Sequence, residues 1–406
     1  MTKNDKYTVL IDANFHLHKT YHIAKNISKS KFDFIGDPKG DRNLLLWKLA
    51  MDFSSEIKRF DPLIENIVYC IDGSSWRKHY FDEEDLDTGD QIKYKANRVK
   101  SNDINWKEIY DCHSEFADGL EKLGVTILRM DGCEADDLIF AWSATLNAKG
   151  KNALIISGDN DLMQLVNHDN QNGTNTIYYQ KFMKTLYVQE GFSEWLANTV
   201  ESKVDIFDMP IDVYDTSKDS LKNLVKSLEV TEINTEEFQF KKIIKGDMGD
   251  NVAPIYAQKK IRKSGDKKGQ EYTTSPSDAK TNLILAKFQE KYTEPINEVM
   301  FWNKEIIREI CGLVKVICKY PEASIDELEK NYIDNRNLML LHDKALPSPI
   351  MESMINKIEE KYTCSVNKSQ INTLKQYNNI LDKTTYEDTQ KKNQSSAGFF
   401  GAFNLD

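Results

Sequence analysis

Short apolar runs alternate with longer amphipathic stretches through the N-terminal part of the chain. Residues 7–11, 66–71, 125–130 and 153–157 are β-branched runs of strand length, whereas 43–60, 105–123 and 134–147 repeat apolar residues at helical spacing. In 43–60 the apolar face is Leu44, Leu45, Trp47, Leu49, Phe53 and Ile57. Apolar strands separated by helices of about ten residues or more predict a parallel sheet covered on both faces. Residues 176–188 predict a hairpin capping that sheet, and 192–237, acidic and rich in turn formers, reads as an insertion. From Phe238 the chain turns helical again, with helical spacing at 279–292, 297–320 and 349–362. A linker-like KKNQSSAG then leads into an apolar terminus, FFGAFNLD.

At 406 residues the chain is long enough for two domains with a sizeable core. Cys70, Cys112, Cys133, Cys311, Cys318 and Cys364 form no C-x-x-C pair and have no matching histidine spacing, so they read as small buried residues of a reducing compartment rather than zinc ligands. The opening MTKNDKYTVLID enters a strand at once, which predicts no secretory leader, and no apolar stretch is long enough for a membrane span. A cytoplasmic protein is expected, in the host cytoplasm if the source is viral. The 54 basic and 64 acidic residues give a formal charge of −10, which taken alone argues against a polyanionic partner. The charge is uneven, however: FDEEDLDTGD is one acidic run, and the lysines and arginines gather elsewhere.

Five acidic motifs recur in order. They are VLIDAN at Asp12, YCIDGS at Asp72, GCEADDLI at Glu134, Asp136 and Asp137, SGDND at Asp159 and Asp161, and KGDMGDN at Asp247 and Asp250. Asp12, Asp72 and Asp159 each follow an apolar run, at the carboxyl edge where parallel sheets carry their sites. Two like charges about 4 Å apart repel by roughly 4 kcal/mol at an effective dielectric near 20. A converged set of such anions therefore calls for divalent cations, and all-oxygen ligands select Mg2+ or Mn2+. The plainer readings stay open: EADD suits the acidic first turn of a helix, and Asp72 before Gly73 suits a turn. No Ser-His-Asp or Cys-His pattern competes, and histidines such as His16, His18 and His22 read as ordinary surface or core residues.

In this order VLIDAN, CID-G, CEADD, SGDND and KGDMGDNV resemble the 5′-nuclease superfamily of flap endonucleases and bacterial polymerase 5′ nuclease domains. Within it, WRKHY at 76–80, IKYKANRVK at 92–100 and NLMLLHDKALPSPI at 337–350 are similar to the branch of the T-even bacteriophage ribonuclease H. The resemblance implies an α/β fold: a parallel-sheet, PIN-like 5′-nuclease core with a helical arch, followed by a mostly α-helical DNA-binding region. It implies that Asp12, Asp72, Glu134, Asp136, Asp137, Asp159, Asp161 and Asp250, with Asp247 a weaker member, hold two Mg2+ ions, for which Mn2+ substitutes. Two ions about 3.5–4 Å apart activate water and neutralise a leaving oxygen in phosphodiester hydrolysis. The expected organisation is a catalytic domain at 1–192 with its arch at about 73–106, an insertion at 193–237, a helical duplex-binding domain at 238–392 and a flexible tail at 393–406.

Between Asp72 and Trp106, Arg77, Lys78, Lys93, Tyr94 and Lys100 interleave bases with aromatics, a composition that suits a gripped and stacked strand as well as a solvated loop. By resemblance Lys95 and Arg98 hold the scissile phosphate, and the acidic run 82–90 departs from that pattern. A second basic cluster, Lys259, Lys260, Arg262 and Lys263 with Lys267 and Lys268, follows GDMGDNVAP and is expected to meet duplex phosphates. The terminal Phe399, Phe400 and Phe403 call for a partner that buries them or for a fold-back onto the core. At a replication nuclease's terminus such a pair resembles a sliding-clamp-binding motif. The expected activity is 5′→3′ exonuclease and flap endonuclease with ribonuclease H action, removing RNA primers from lagging-strand fragments in phage replication. The expected partners of this monomer are RNA–DNA hybrid, flapped and nicked duplex, the sliding clamp and a single-strand-binding protein, with no membrane. Two alternatives are a non-catalytic DNA-binding scaffold tethered to the clamp and a PIN-type single-strand ribonuclease.

Overall fold

The computed structural model describes residues 6–28, 34, 38–80, 94–96, 104–169, 173–201, 225, 227–261, 263–265, 268–292 and 298–362. The chain divides into two compact units. One comprises Met1–Ser74, Ser101–Glu232 and Glu352–Asp406, the other Ser75–Lys100 and Ile233–Met351.

The first unit is built on one sheet. Its strands are β1 (Tyr7–Asp12), β2 (Ile64–Ile71), β3 (Thr126–Arg129), β4 (Asn152–Ser157), β5 (Asn167–Asp169), β6 (Thr174–Gln180), β7 (Thr185–Gln189) and β8 (Glu229–Ile233). They run in the order β3-β2-β1-β4-β6-β7-β8, with β5 paired to β6 off that path. The β3–β2, β2–β1, β1–β4 and β4–β6 pairs are parallel, while β5 and β7 join β6 antiparallel. β1 lies at the centre of the five parallel strands, and the chain leaves it toward β2 on one side and returns to β4 on the other.

Strand periodicity sends alternate residues to opposite faces. Tyr7, Val9 and Ile11 join a core with α1 (Ala13–Ile27), α2 (Pro38–Phe60) and α3 (Trp106–Lys122). Leu10, Val68 and Ile155, between them, are fully buried on the other face, where α4 (Ala135–Ala148) packs against β1, β2 and β4. This double burial is why the parallel strands read as unbroken apolar runs.

Residues 176–188 form a hairpin, but it extends the sheet rather than capping it. β6 continues the parallel order beside β4, and its burial on both faces explains the run TIYY. The stretch read as an insertion also carries core elements at its ends. α5 (Phe192–Glu201) buries Phe192 and Leu196 against the α1–α3 side of the sheet, and β8 adds an edge strand. A few apolar positions in an acidic stretch carry this packing, too sparse to show a period.

In the second unit, α6 (Thr235–Lys245), α7 (Asp278–Lys291), α8 (Lys304–Cys318) and α9 (Ile325–Met339) enclose a core of Phe240, Ile244, Ile284, Phe288, Ile310 and Tyr332. The expected helix 297–320 is broken at Asn303, whose side-chain oxygen accepts the Glu305 and Ile306 amides at 3.0 and 3.2 Å and so starts α8. α9 was hidden because charged residues crowd its apolar stripe. The lysine-rich stretch after Pro254 contains a two-stranded hairpin, β9 (Gln258–Ile261) and β10 (Glu271–Thr274). The helix α10 (Ser348–Tyr362) ends the described chain.

Beneath the central strand lies a buried polar network. His16 Nδ1 and His113 Nε2 stand 2.8 and 2.9 Å from the Tyr69 hydroxyl, so the phenol bridges two rings. His16 Nε2 lies 3.4 Å from Asp52, which also pairs with Lys19 at 2.8 Å and with Lys181; Lys181 meets Glu56 at 3.0 Å. Burial lowers both imidazoles to about 3, so they are neutral at physiological pH. Burial opposes ionisation of Asp52, yet His16, Lys181 and Lys19 bring its carboxyl down to about 2. Since His16 is itself uncharged there, the two lysines hold Asp52 ionised near neutrality.

The folded-state pKa of His113 is below its ordinary 6.5. Below that pH the unfolded chain takes a proton the folded chain refuses, so its contribution to stability falls between about pH 6.5 and 3. The unfolding free energy of wild type relative to His113→Gln is therefore expected to drop as pH is lowered from 6.5 to 4. Chemical denaturation of both proteins across this range checks it, and a constant difference would contradict it.

Candidate metal centre

Asp12 is the last residue of β1 and the N-cap of α1, and the residue is 5% exposed. Oδ1 accepts the Phe15 amide at 3.0 Å, and Oδ2 accepts the Ser157 hydroxyl at 2.7 Å. Asp72 stands one residue past β2; Oδ1 accepts the Ala135 amide at 2.6 Å, and Oδ2 accepts a bond from the Asn14 side chain. Asp159, two residues past β4, caps the 3₁₀ turn Asn160–Leu165 by accepting the Asp161 amide at 2.9 Å. Its own amide donates to Ser157 Oγ at 3.1 Å. The parallel register aligns these strand ends, pairing Asp12 with Cys70 and Ile11 with Ile156.

Burial lifts the Asp12 carboxyl to about 7; the Asp72 and Asp159 charges add to the rise, and the bonds from Phe15 and Ser157 restrain it. The Asp72 and Asp159 charges thus both press on Asp12 at one edge of one sheet. Gly73 allows this closeness on the Asp72 side. A Cβ there would lie 2.0 Å from the Met130 carbonyl oxygen, and the Gly73 amide bonds Cys133 O at 2.8 Å. That clasp, not a simple turn, brings Asp72 against the start of α4.

Glu134 and Asp137 close a capping box at that helix start, with Asp137 accepting the Glu134 amide at 3.1 Å. Asp137 is fully buried, which makes the helix-cap reading of this acid a real part of its work. Glu134 is buried too, while Asp136 and Asp161 are half-buried. Asn14 and Ser157 escaped sequence reading. Their signals were present, one residue past Asp-Ala in VLIDAN and two before Asp in SGD, but neither residue type is diagnostic.

Among the described residues no group of three or more His, Cys, Asp or Glu side chains is placed to hold a metal ion. Most of the carboxylate oxygens are directed onto protein donors instead. The donor set itself, anionic oxygens with Asp12 lifted to about 7 by burial and like charge, fits a hard divalent cation. Asp12, Asp72 and Asp159 are the residues that would hold it, with Asp161, Glu134 and Asp136 beside them.

Asp247 and Asp250 belong to the second unit. Asp247 Oδ1 accepts the Gly249 and Asp250 amides at 2.8 and 3.3 Å, and the residue pairs with Lys242 at 3.7 Å, so it shapes its own turn. Gly246, at φ +65° and with a Cβ position 2.4 Å from the Ala253 carbonyl oxygen, has no room for another residue. Asp250 Oδ2 accepts the Tyr94 hydroxyl at 2.9 Å and lies 3.6 Å from Lys95 Nζ, while its carbonyl accepts the Lys95 amide at 2.8 Å. Arg77, expected at a nucleic-acid surface, is 3% exposed, bonds Leu338 O at 2.8 Å and lies over the Trp76 ring. It is a packing residue, because its guanidinium satisfies a buried carbonyl. Lys78, Lys260 and Lys263 are exposed. Lys259 lies on β9, with its side chain outside what is described. Lys93, Arg98, Lys100, Arg262, the run 82–90 and the tail with Phe399, Phe400 and Phe403 lie outside the described residues.

Because the folded-state pKa of Asp12 is raised, its ionisation destabilises the metal-free protein progressively from about pH 4 to about 7. Asp12→Asn is therefore expected to stabilise chelator-treated protein and raise its melting temperature, with a free-energy gain that grows over this range and then levels at about a few kcal/mol at most. Mg2+ is expected to raise the wild-type midpoint and to shift the variant less. Thermal melts at pH 5 and 8, with chelator and with Mg2+, check both statements.

Comparison with known proteins bears on this geometry. Residues 7–196 match the profile of the 5′-3′ exonuclease N-terminal, resolvase-like domain. The chain is 27% identical over 158 residues to a 5′-3′ exonuclease of Buchnera aphidicola, covering 39% of this chain and 48% of that protein. It is 27% identical over 158 residues to DNA polymerase I of Pseudomonas aeruginosa, covering 39% of this chain and 15% of the polymerase. The chain thus spans about half or less of the length of these relatives. Among solved structures, the T5 D15 protein co-crystallised with metal ions superposes with a TM-score of 0.50 at 15% identity, over 87% of this chain and 99% of that one. That likeness shows a shared fold, an α/β unit on a mostly parallel sheet followed by a helical region.

Proposed function

We propose that the chain is a divalent-metal-dependent phosphodiester hydrolase, a 5′→3′ exonuclease and flap endonuclease. The observation that carries this reading is the set of Asp12, Asp72 and Asp159 at the carboxyl ends of β1, β2 and β4, where the latter two charges act on Asp12, within the segment that matches the exonuclease domain. The T5 protein's co-crystallised metal ions support metal ions as the cofactor of this chain, two Mg2+ in our reading. When bound, such ions supply an activated water and neutralise the leaving oxygen. The protein's own part is positional: Ser157 and the Phe15 amide fix Asp12, the start of α4 and Asn14 fix Asp72, and the 3₁₀ turn fixes Asp159. Lys95 and Arg98 are proposed to meet the scissile phosphate, and the exposed lysines around β9 the duplex backbone.

The finer reading is removal of RNA primers from lagging-strand fragments in phage replication, with RNA–DNA hybrid and flapped or nicked duplex as substrates. The C-terminal Phe399, Phe400 and Phe403 are proposed to dock on a sliding clamp, and a single-strand-binding protein is a second proposed partner.

A 5′-labelled flapped duplex and an RNA–DNA hybrid, each incubated with Mg2+ or with chelator, test the proposal. Cleavage is expected only with metal, and Asp159→Ala is expected to lower it by roughly 100-fold or more, since loss of one anion removes several kcal/mol of cation stabilisation. Binding without cleavage would favour a scaffold instead. Neutralising Lys260, Lys263 and Lys268 together is expected to reduce the slope of log affinity against log salt by up to about 0.9 for each lost phosphate contact. An unchanged slope in a filter-binding titration would remove these lysines from the duplex interface.

A further inference from the structure

The turn between β6 and β7 carries the sequence Lys181-Phe182-Met183-Lys184, and its two apolar side chains face water: Phe182 is 63% and Met183 66% exposed. The turn is firmly tied to the loop that bears Asp159. Ser157 pairs with Gln180 in the sheet, the Lys181 amide bonds Ser157 O at 2.8 Å, and the Gln180 side-chain amide donates to Gly158 O at 3.2 Å. The Gln180 side-chain oxygen in turn accepts the Met183 amide at 2.8 Å. Lys181 is anchored below through Asp52 and Glu56. Phe182 is therefore exposed without being loose.

Its ring meets Phe15 edge to face, with centroids 5.0 Å apart and planes at 87°. Phe15 is the residue whose amide bonds the Asp12 carboxylate. Between them lies Gly158, where a Cβ would be 2.1 Å from the Phe15 ring and 2.9 Å from the Phe182 ring. The two aromatics thus rest directly on the Ser157–Asp159 loop, beside the carboxylate set.

Resting on the hydrolase reading above, we infer that Phe182, with Met183, is a stacking ledge for the nucleobase next to the scissile phosphate. A planar apolar ring fixed within one residue of a phosphate-processing loop, with the exposed Lys184 following it, matches the pairing of stacking face and cation that holds single-stranded nucleic acid. The patch is one ring and one thioether wide, the size of a base rather than of a protein interface. The ledge selects for a planar group and against none of the four bases, so it positions the strand without reading sequence.

The test uses the full-length protein and a 5′-flapped duplex with 2-aminopurine next to the scissile phosphate, bound in Ca2+ and assayed for cleavage in Mg2+. Wild type and Phe182→Tyr are expected to quench 2-aminopurine on binding, and Phe182→Ala to leave it bright. The alanine variant is expected to raise KM about tenfold, equivalent to about 1.4 kcal/mol, with kcat changed far less and an unchanged melting temperature. Met183→Ala gives a smaller change in the same direction. If wild type cleaves but Phe182→Ala quenches and turns over like it, or loses only thermal stability, the ledge is refuted. If wild type cleaves no 5′-ended substrate in Mg2+, the hydrolase reading itself falls, a result the variants cannot mimic.

Discussion

The architecture of the first unit depends on a carboxylate removed from water at the end of its central strand. Asp12 is nearly inaccessible, and its ionisation is opposed by burial and by two neighbouring anions. A parallel sheet is what makes this arrangement tolerable. It delivers the ends of β1, β2 and β4 to one edge, where free amides of helix starts and turns point at the acids: β1 and β4 run directly into theirs, while Asp72 after β2 is met by the start of α4, which follows β3. The Phe15 amide serves Asp12, the Ala135 amide Asp72 and the Asp161 amide Asp159. Repulsion on Asp12 remains, strongest where the local dielectric is lowest, and a bound cation would relieve it.

The same edge is braced from beneath by a buried network of paired charges. Lys181, at the end of β6, reaches down to Asp52 and Glu56 while its backbone bonds Ser157, the residue that also holds Asp12. A single residue thereby joins the buried ion network, the sheet edge and the exposed turn carrying Phe182. Burying paired ions adds little net stability on its own. Its effect here is to fix the position of a turn that would otherwise be a solvent-exposed hairpin tip.

In the second unit the motif KGDMGDN divides its two acids between different tasks. Asp247 accepts the amides of its own turn, whereas Asp250 holds Tyr94 and Lys95 from a part of the chain more than a hundred residues away. Lys95 adopts a left-handed backbone, φ +56°, as it crosses the Tyr94 ring and approaches that carboxylate. Similar acids in one short motif thus differ in what they touch, a distinction that charge and spacing do not encode.

Periodicity settled the elements whose burial is one-sided or complete: the central strands, α3 and α4 lie within two residues of their predicted bounds and α2 starts five residues earlier than 43, because side-chain direction repeats with the local backbone. It also set Asp12, Asp72 and Asp159 at strand ends. It did not reveal α9, where charge masks the apolar stripe, or the core role of Phe192 and Leu196, which rests on too few positions to form a period. Nor could it choose the partners of any acid. Strand order and register decide that Ser157 meets Asp12, that Asn14 and the start of α4 meet Asp72, and that Phe182 comes to lie against Phe15. Those contacts join residues far apart in the chain, and only the closed sheet brings them within bonding distance.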